Sequence, residues 1–193
     1  GNYAYVGVAD AIRGLRVVDI SNPHNMQEVG SVGNNWRGYG VCLSSAGNLA
    51  YVTTGAGGLR IINVATPTAP QEIGVLSSMI SWKPELRSFF VYAASDSGFY
   101  IADVSDSVNP ALVGHVDSPG VGYGVWVIDP FTYGYMADCW EGLQVIDIGD
   151  PTRPRVDTTC FGADAARDVF ILDNRAYLAD NMAGLKLLDI SNI

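Results

Sequence analysis

An eight-residue segment, GLRVVDIS from Gly14 to Ser21, returns four times along this chain. It reappears as GLRIINVA from Gly58, GFYIADVS from Gly98, GLQVIDIG from Gly142 and GLKLLDIS from Gly184, in steps of 44, 40, 44 and 42 residues. A period of that length belongs to stacked or circular arrays of small β units, each of which buries its apolar faces only against its neighbours. The repeat constrains architecture strongly and biochemical role weakly.

The second repeat shows the unit most clearly. Val41 to Ser45 alternates and Ala46-Gly47-Asn48 turns; Ala50 to Thr54 is β-rich and Gly55 to Gly58 turns again. Leu59 to Val64 is an apolar run closed by Ala65 to Pro70, and Gln71 to Leu76 is the last strand. Four short strands punctuated by Gly, Asn and Pro, with no sustained helical period, predict an all-β chain. The expected repeats are 1–33, 34–77, 78–117, 118–159 and 160–193, within a single domain. Four antiparallel strands per unit point to a β-propeller.

Each recurring residue has a structural cause. Gly14, Gly58, Gly98, Gly142 and Gly184 supply a positive φ between the second and third strands. Tyr5, Tyr51, Tyr92, Tyr135 and Tyr177 provide half-buried bulk for packing one sheet on the next. Asp19, Asp103, Asp147 and Asp189 end the third strand, where a carboxylate can accept N–H groups of the following turn. Asn63 holds that place in the second repeat, so hydrogen bonding and not charge is the expected reason. Pro23, Pro67 and Pro151 then stop the ladder, while the third repeat has Ser107 near that place.

The pattern running through Leu15 to Pro23, Leu59 to Pro67, Phe99 to Ser105, Leu143 to Pro151 and Leu185 to Asn192 resembles the LVIVD repeat of bacterial and archaeal surface proteins. That resemblance implies an exported or surface-exposed propeller, often one module of a larger protein. It brings no catalytic residues with it.

Composition agrees with a compact β protein. Of 193 residues 48% are hydrophobic, Gly numbers 22 and Tyr 10, and only 16% are charged. A chain this long buries roughly 70% of its unfolded surface without staples. The net charge of -9 argues against nucleic acid, whose binding rests on Lys and Arg neutralising phosphates, and against an anionic membrane surface. Much of the acidity belongs to the repeat, since Asp10, Asp138 and Asp180 share a second recurring place. No run of 18 apolar residues occurs, so no helical membrane span is expected. Cys42, Cys139 and Cys160 lack metal-ligand spacing and read as buried free thiols.

Strand counting leaves the first repeat without its innermost strand and the fifth without its outermost. The expectation is an excerpt of a longer propeller, with a five-bladed ring whose end blades are frayed as the alternative. The chain also opens inside a strand pattern, at GNYAYV, with no signal peptide or initiator Met, so a processed or trimmed product is expected.

Propellers bind at the mouth of the central channel, where the loops entering the innermost strands converge; this is a fold-level analogy. Gly-Tyr-Gly-Val occurs there twice, at 38–41 and 122–125. The candidate ligand-binding residues are Trp36, Arg37, Tyr39, Trp82, Tyr123, Trp126 and Arg167. Aromatic rings with Arg suit a glycan or a protein partner, and the competing reading has them plugging the channel or packing between blades. Trp140-Glu141 departs from its repeat place, where Ile12-Arg13, Ala56-Gly57 and Met182-Ala183 stand.

Catalysis finds weak support. His24 falls in a Pro turn and His115 in an outer strand, which disfavours a His-based metal site or a Ser-His-Asp triad. Asp129, Asp168 and Asp173 are the carboxylates near inner strands, two of them in turn-forming pairs. Ca²⁺ among the acidic residues is the one cofactor left open, although no loop has Ca²⁺-ligand spacing. The Gly55-Ala56-Gly57-Gly58 stretch is no phosphate loop, lacking the Lys-Ser/Thr pair. The expected role is a non-enzymatic binding or scaffold module outside the cell or on its surface. A hydrolytic propeller using channel carboxylates and a purely structural spacer are the alternatives.

Overall fold

The computed structural model describes residues 1–10, 13–128, 132–160 and 165–192. Its first sheet comprises β1 (Tyr3–Gly7), β2 (Leu15–Asp19) and β3 (Gln27–Val32). The second follows with β4 (Gly40–Leu43), β5 (Leu49–Thr53), β6 (Leu59–Asn63) and β7 (Gln71–Leu76). The third holds β8 (Pro84–Arg87), β9 (Phe90–Ser95), β10 (Gly98–Asp103) and β11 (Ala111–Asp117). The fourth holds β12 (Gly122–Val127), β13 (Tyr133–Asp138), β14 (Gly142–Asp147) and β15 (Arg155–Cys160). The last is β16 (Ala166–Leu172), β17 (Arg175–Asp180) and β18 (Gly184–Asp189). Each sheet is a meander whose spatial order follows the chain, with three strands in the first and last sheets and four in the others. Among the described residues the lone helical element is a 3-10 turn at Gly55–Gly57; no described helix is long and apolar enough to cross a membrane.

The chain forms two compact units. Gly1–Phe89 with Asp103–Ala111 make the first, and Phe90–Ala102 with Leu112–Ile193 the second.

The recurring residues do what their chemistry predicts. All five hairpin glycines have positive φ, from 60° at Gly14 to 131° at Gly98, a region that a Cβ disfavours. The residue ending each third strand makes an Asx turn. Asp19, Asn63, Asp103, Asp147 and Asp189 each accept through Oδ1 the N–H two residues on, at 2.8 to 3.0 Å. Because Asn63 makes the same bond, the oxygen and not the charge selects this place. Asn22, Asp106 and Asp150 nucleate a second such turn three residues later.

Apolar residues fill the spaces between sheets within each unit. In the first, Leu15 of β2 packs with Trp36, Ala50, Val52, Ile62 and Val64. In the second, Tyr92, Phe99 and Ile101 pack with Val125, Val127, Met136 and Ile146. There too Tyr135, Leu143 and Val145 meet Val169, Ile171, Ala176 and Leu178. Tyr51, Tyr92 and Tyr135 are buried, while Tyr5 and Tyr177 are half-buried.

A glycine in the outer strand controls how closely sheets approach. A Cβ at Gly30 would overlap the carbonyl oxygen of Pro67, one at Gly74 that of Ser107, and one at Gly114 that of Pro151. None of the three has a positive φ, so the requirement is steric. The carbonyls belong to the turn that follows the third strand of the next repeat. Thr158 occupies the corresponding place in β15. Cys42, Cys139 and Cys160 are free thiols, and burial, followed by the Glu85 charge, pushes the Cys42 thiol up to about 12.

Replacing Gly30, Gly74 or Gly114 with Ala is expected to destabilise the chain by about 1–3 kcal/mol each, because the docked turn must move. Thr158→Ala is expected to change stability by no more than about 1 kcal/mol. Urea midpoints of the four variants check this.

The Asx turns also predict the acid limb of stability. Hydrogen bonds from Ser21 lower the Asp19 carboxyl, the Gly149 N–H chiefly lowers Asp147, and the Ser191 N–H chiefly lowers Asp189. A folded-state value below the unfolded one stabilises the fold above the unfolded value of about 3.9, and this is lost as pH falls through the folded values. The triple variant Asp19→Asn, Asp147→Asn, Asp189→Asn keeps an accepting oxygen at each turn. Its urea midpoint is expected to fall less steeply than that of the parent chain below about pH 4.

Candidate functional site

The loops entering the inner strands are held by backbone bonds and glycine contacts. In the first unit, Gly14 N–H donates to the Trp36 carbonyl at 2.9 Å, Gly38 N–H to Val8 at 3.0 Å and Tyr39 N–H to Thr53 at 2.8 Å. Gly38 lies against Gly7 and Val8, and Gly40 against Trp82 and Pro84, so a Cβ on either would collide with backbone or ring atoms. In the second unit, a Cβ on Gly122 would meet the Met136 sulfur, and one on Gly124 the Asp168 carboxylate and Cα. Each Gly-Tyr-Gly thus has both glycines pinned by neighbours; the tyrosine between them is exposed just ahead of β4 at position 39, and half-buried at the bulge that opens β12 at position 123.

Each of these tyrosines takes its partner from the following repeat. Tyr39 meets Trp82 edge-on, with centroids 4.8 Å apart and planes at 88°. Tyr39 is 40% exposed, Trp82 is half-buried, and the neighbouring Arg37 and Lys83 are exposed. In the second unit the Arg167 guanidinium lies 4.1 Å from the centroid of the Tyr123 ring, a cation–π geometry. Arg167 is exposed and Tyr123 half-buried.

Trp36 and Trp126 occupy different settings. Trp36 is only 5% exposed; its indole N–H donates to Glu72 Oε2 at 3.1 Å, and the Arg60 guanidinium stands 5.2 Å over its ring. Arg60 in turn donates to both Glu72 oxygens, at 2.9 and 2.8 Å. Trp36 therefore works as an interior wedge with a satisfied polar edge. Trp126, on β12, meets Phe170 of β16 in a T-shaped contact at 4.5 Å, and Phe170 continues to Tyr177 at 6.2 Å. Phe170 is 44% exposed and joins the aromatic set. The alternation of β16 carries it, in the place that Trp126 holds in β12.

Asp168 and Asp173 each serve the local backbone. Asp168 Oδ1 accepts the Val169 N–H at 3.0 Å. Asp173 takes a positive φ of 53° in the turn between β16 and β17. Asp129 lies outside the described residues. Asp138 is fully buried and accepts the Ser118 hydroxyl, whereas Asp180, in the same repeat place, accepts the N–H groups of Met182 and Ala183 and pairs with Lys186 at 3.1 Å. Among the described residues no group of three or more His, Cys, Asp and Glu is placed to hold a metal ion. His115 stacks on Tyr100 in the outer strands at 4.2 Å.

On the hairpins between second and third strands, Trp140 is 70% exposed and Met182, its repeat equivalent, 76%. Sequence reasoning singled out Trp140; Met182 escaped because it was read as background for the departure.

Comparison with known proteins places these features in a family. The family model described as LVIVD repeat matches residues 1–34, 38–77, 89–118, 122–160 and 163–193. A search of curated proteins finds no match. Among solved structures, the β-propeller domain of Cps50 (Swd1) from Myceliophteria thermophila is similar with a TM-score of 0.78 at 13% identity, over 98% of this chain and 67% of that one. The WD40 β-propeller domain of Doa1 gives 0.74 at 12% identity over 99% and 62%. The computationally designed Ika8 protein gives 0.75 at 12% identity over 100% and 57%. The chain thus spans a little over half the length of the designed protein, and at these identities the likeness concerns fold alone. The fold is of the β-propeller type, and the chain belongs to the LVIVD-repeat family.

Proposed function

We propose that this chain is a non-enzymatic binding module of an exported or cell-surface protein, recognising a glycan or protein partner at the loops entering its inner strands. The observation that carries the reading is the Tyr39–Trp82 edge contact, with Tyr39 exposed and Trp82 half-buried, beside the exposed Arg37 and Lys83 in the sequence. Aromatic edges beside guanidinium and ammonium groups present flat apolar area with directional donors, the combination found at binding hot spots. The Arg167–Tyr123 stack offers the same chemistry in the second unit. Pinned glycines on either side keep the rings in place before a partner arrives, which lowers the ordering entropy of binding. The reading also takes the five sheets as consecutive blades, either of a five-bladed ring or of a larger one.

A glycan and peptide array probed with the labelled chain tests the role. Binding to a defined ligand is expected, with Tyr39→Ala and Arg167→Ala each weakening it about tenfold, the loss of roughly 1.4 kcal/mol. Trp36→Phe keeps most of the buried ring and leaves Glu72 with Arg60, so it is expected to lower stability with little effect on affinity. Ligand binding unchanged by Tyr39→Ala and Arg167→Ala would move the site elsewhere, and an array with no ligand would favour the spacer role.

A further inference from the structure

The acidic residues of this chain are unevenly spread. Between Glu28 and Glu85 the sequence holds one acid, Glu72, against the cations Arg37, Arg60 and Lys83; every other Asp and Glu lies outside that stretch. Two of these charges cancel, since Arg60 donates to both Glu72 oxygens and Glu72 Oε2 also takes the Trp36 indole N–H. Arg37 and Lys83 are left, and both are exposed. Among the described residues no carboxylate lies within ion-pair distance of Arg37. Glu85, the acid nearest Lys83 in the sequence, is buried and pairs with Arg87. The hairpin between β1 and β2 brings one exposed charge of each sign, Asp10 and Arg13.

These two cations belong to the loops that carry the aromatic pair. Arg37 is two residues from Tyr39, at most about 7 Å along the backbone, and Lys83 follows Trp82 directly. The hairpin between β5 and β6 meets both rings without a side chain of its own: a Cβ at Gly55 would lie 3.0 Å from Tyr39 Cε2 and 3.5 Å from Trp82 Cζ3. Thr54 to Gly58 carry no charge. A net charge of -9 sets the distant field, but a bound group responds chiefly to charges within a Debye length, about 8 Å at physiological ionic strength. Beside the Tyr39–Trp82 pair the local sign is positive.

The loop backbone is largely used by the fold. Gly38 N–H donates to Val8, Tyr39 N–H donates to Thr53, and the Trp82 carbonyl takes the Thr53 hydroxyl. An extended peptide is held mainly through its main chain and finds few partners in such loops. A sugar ring is held through side chains, and here exposed Asn34 and Asn35 supply amides and exposed Tyr39 an aromatic ring. A neutral sugar would miss the strongest acceptors for its hydroxyl donors, because residues 33–39 and 77–83 contain no Asp or Glu.

We infer that this surface selects an acidic glycan, a pyranose chain bearing carboxylates. The inference rests on the binding role proposed above and names the ligand class of that site. Arg37 pairs with a carboxylate and Lys83 adds a second positive charge. Tyr39 covers ring C–H groups, and Asn34 and Asn35 meet hydroxyls. A guanidinium suits this task because its bonds to a carboxylate are charge-assisted and can be bidentate.

The test measures, by calorimetry on the whole chain, binding of tetrasaccharides of galacturonate, glucuronate and mannuronate, of their neutral methyl esters, and of tetraglutamate. At least one free acid is expected to bind, with its ester about tenfold weaker and tetraglutamate inactive. Raising salt from about 0.1 M to about 1 M shortens the Debye length from about 10 Å to about 3 Å and is expected to weaken binding about fivefold. Arg37→Gln is expected to weaken it about tenfold with an unchanged urea midpoint, and Arg37→Lys to recover part of the loss. Equal binding of acid and ester, indifference to both salt and Arg37→Gln, or binding of tetraglutamate alone overturns the acidic-glycan assignment while leaving a binding role at Tyr39. If none of these ligands binds but the array yields another whose affinity falls with Tyr39→Ala, the assignment of ligand class alone is overturned. Silence in both experiments overturns the binding role with it.

Discussion

The closeness of neighbouring sheets rests on a contact between a glycine and a carbonyl oxygen. Gly30, Gly74 and Gly114 each sit in an outer strand where the turn of the next repeat presses its carbonyl into the space a side chain would take. That turn is shaped by the Asx bond of the residue ending the third strand. A local hydrogen bond therefore sets the form of a turn, the turn docks on its neighbour, and the docking fixes the spacing at which Leu, Val, Ile and Tyr side chains interdigitate. In a repeat architecture stability is the sum of such nearest-neighbour terms, and the glycine recurs in β3, β7 and β11, with Thr158 in its place in β15.

The polar groups obey the same economy. Arg60 and Glu72 lie on adjacent strands of one sheet and pair at 2.8 Å. Arg16 and Glu28 repeat the pair at 3.1 Å in the first sheet. Where the pair meets Trp36, it satisfies the indole N–H in an otherwise apolar setting. In the fourth repeat Gln144 takes the place of the arginine and bonds Thr159, directly opposite, at 2.8 Å, and in the third Tyr100 takes it and stacks on His115. The third-strand place held by Arg16, Arg60, Tyr100 and Gln144 is thus always paired across to the outer strand, but with partners from two different outer-strand places: Glu28 and Glu72 in the first two repeats, and the residue directly opposite, Thr159, in the fourth.

Much of the fold was legible because a periodic sequence reports the same constraint five times. The hairpin glycines, the Asx acceptors, the repeat tyrosines and the three-stranded first and last sheets all follow from aligning the repeats. The candidate site was legible only in part. Alignment put Tyr39, Trp82, Tyr123 and Arg167 on the loops, whereas Tyr123 and Arg167 fall in the bulged starts of β12 and β16, and it could not tell that Trp36, three residues from Tyr39, turns inward to Glu72. That choice depends on Glu72, thirty-six residues away, and on Gly33 leaving room for the ring. Phe170 was missed for a related reason. A single apolar residue in an alternating strand looks like core, and only its 44% exposure and its edge contact with Trp126 distinguish it. The sheet-spacing glycines also escaped notice, since a glycine with an ordinary φ gives no turn signal; its cause lies in another repeat.

The paired glycines around Tyr39 and Tyr123 separate two tasks that most loops combine. Backbone course is dictated by atoms that tolerate no side chain, while the residue between them keeps part of its ring in solvent, more at Tyr39 than at Tyr123. Display positions of this kind can be exchanged by mutation without renegotiating the scaffold, as antibody loops are on their sandwich. The third and fifth repeats already sample the exchange, with exposed Lys83 and Arg167 in the place where the second and fourth repeats have tyrosine. A lineage carrying this repeat can therefore diversify what it recognises by point substitution, one loop at a time, while the sheets beneath stay unchanged.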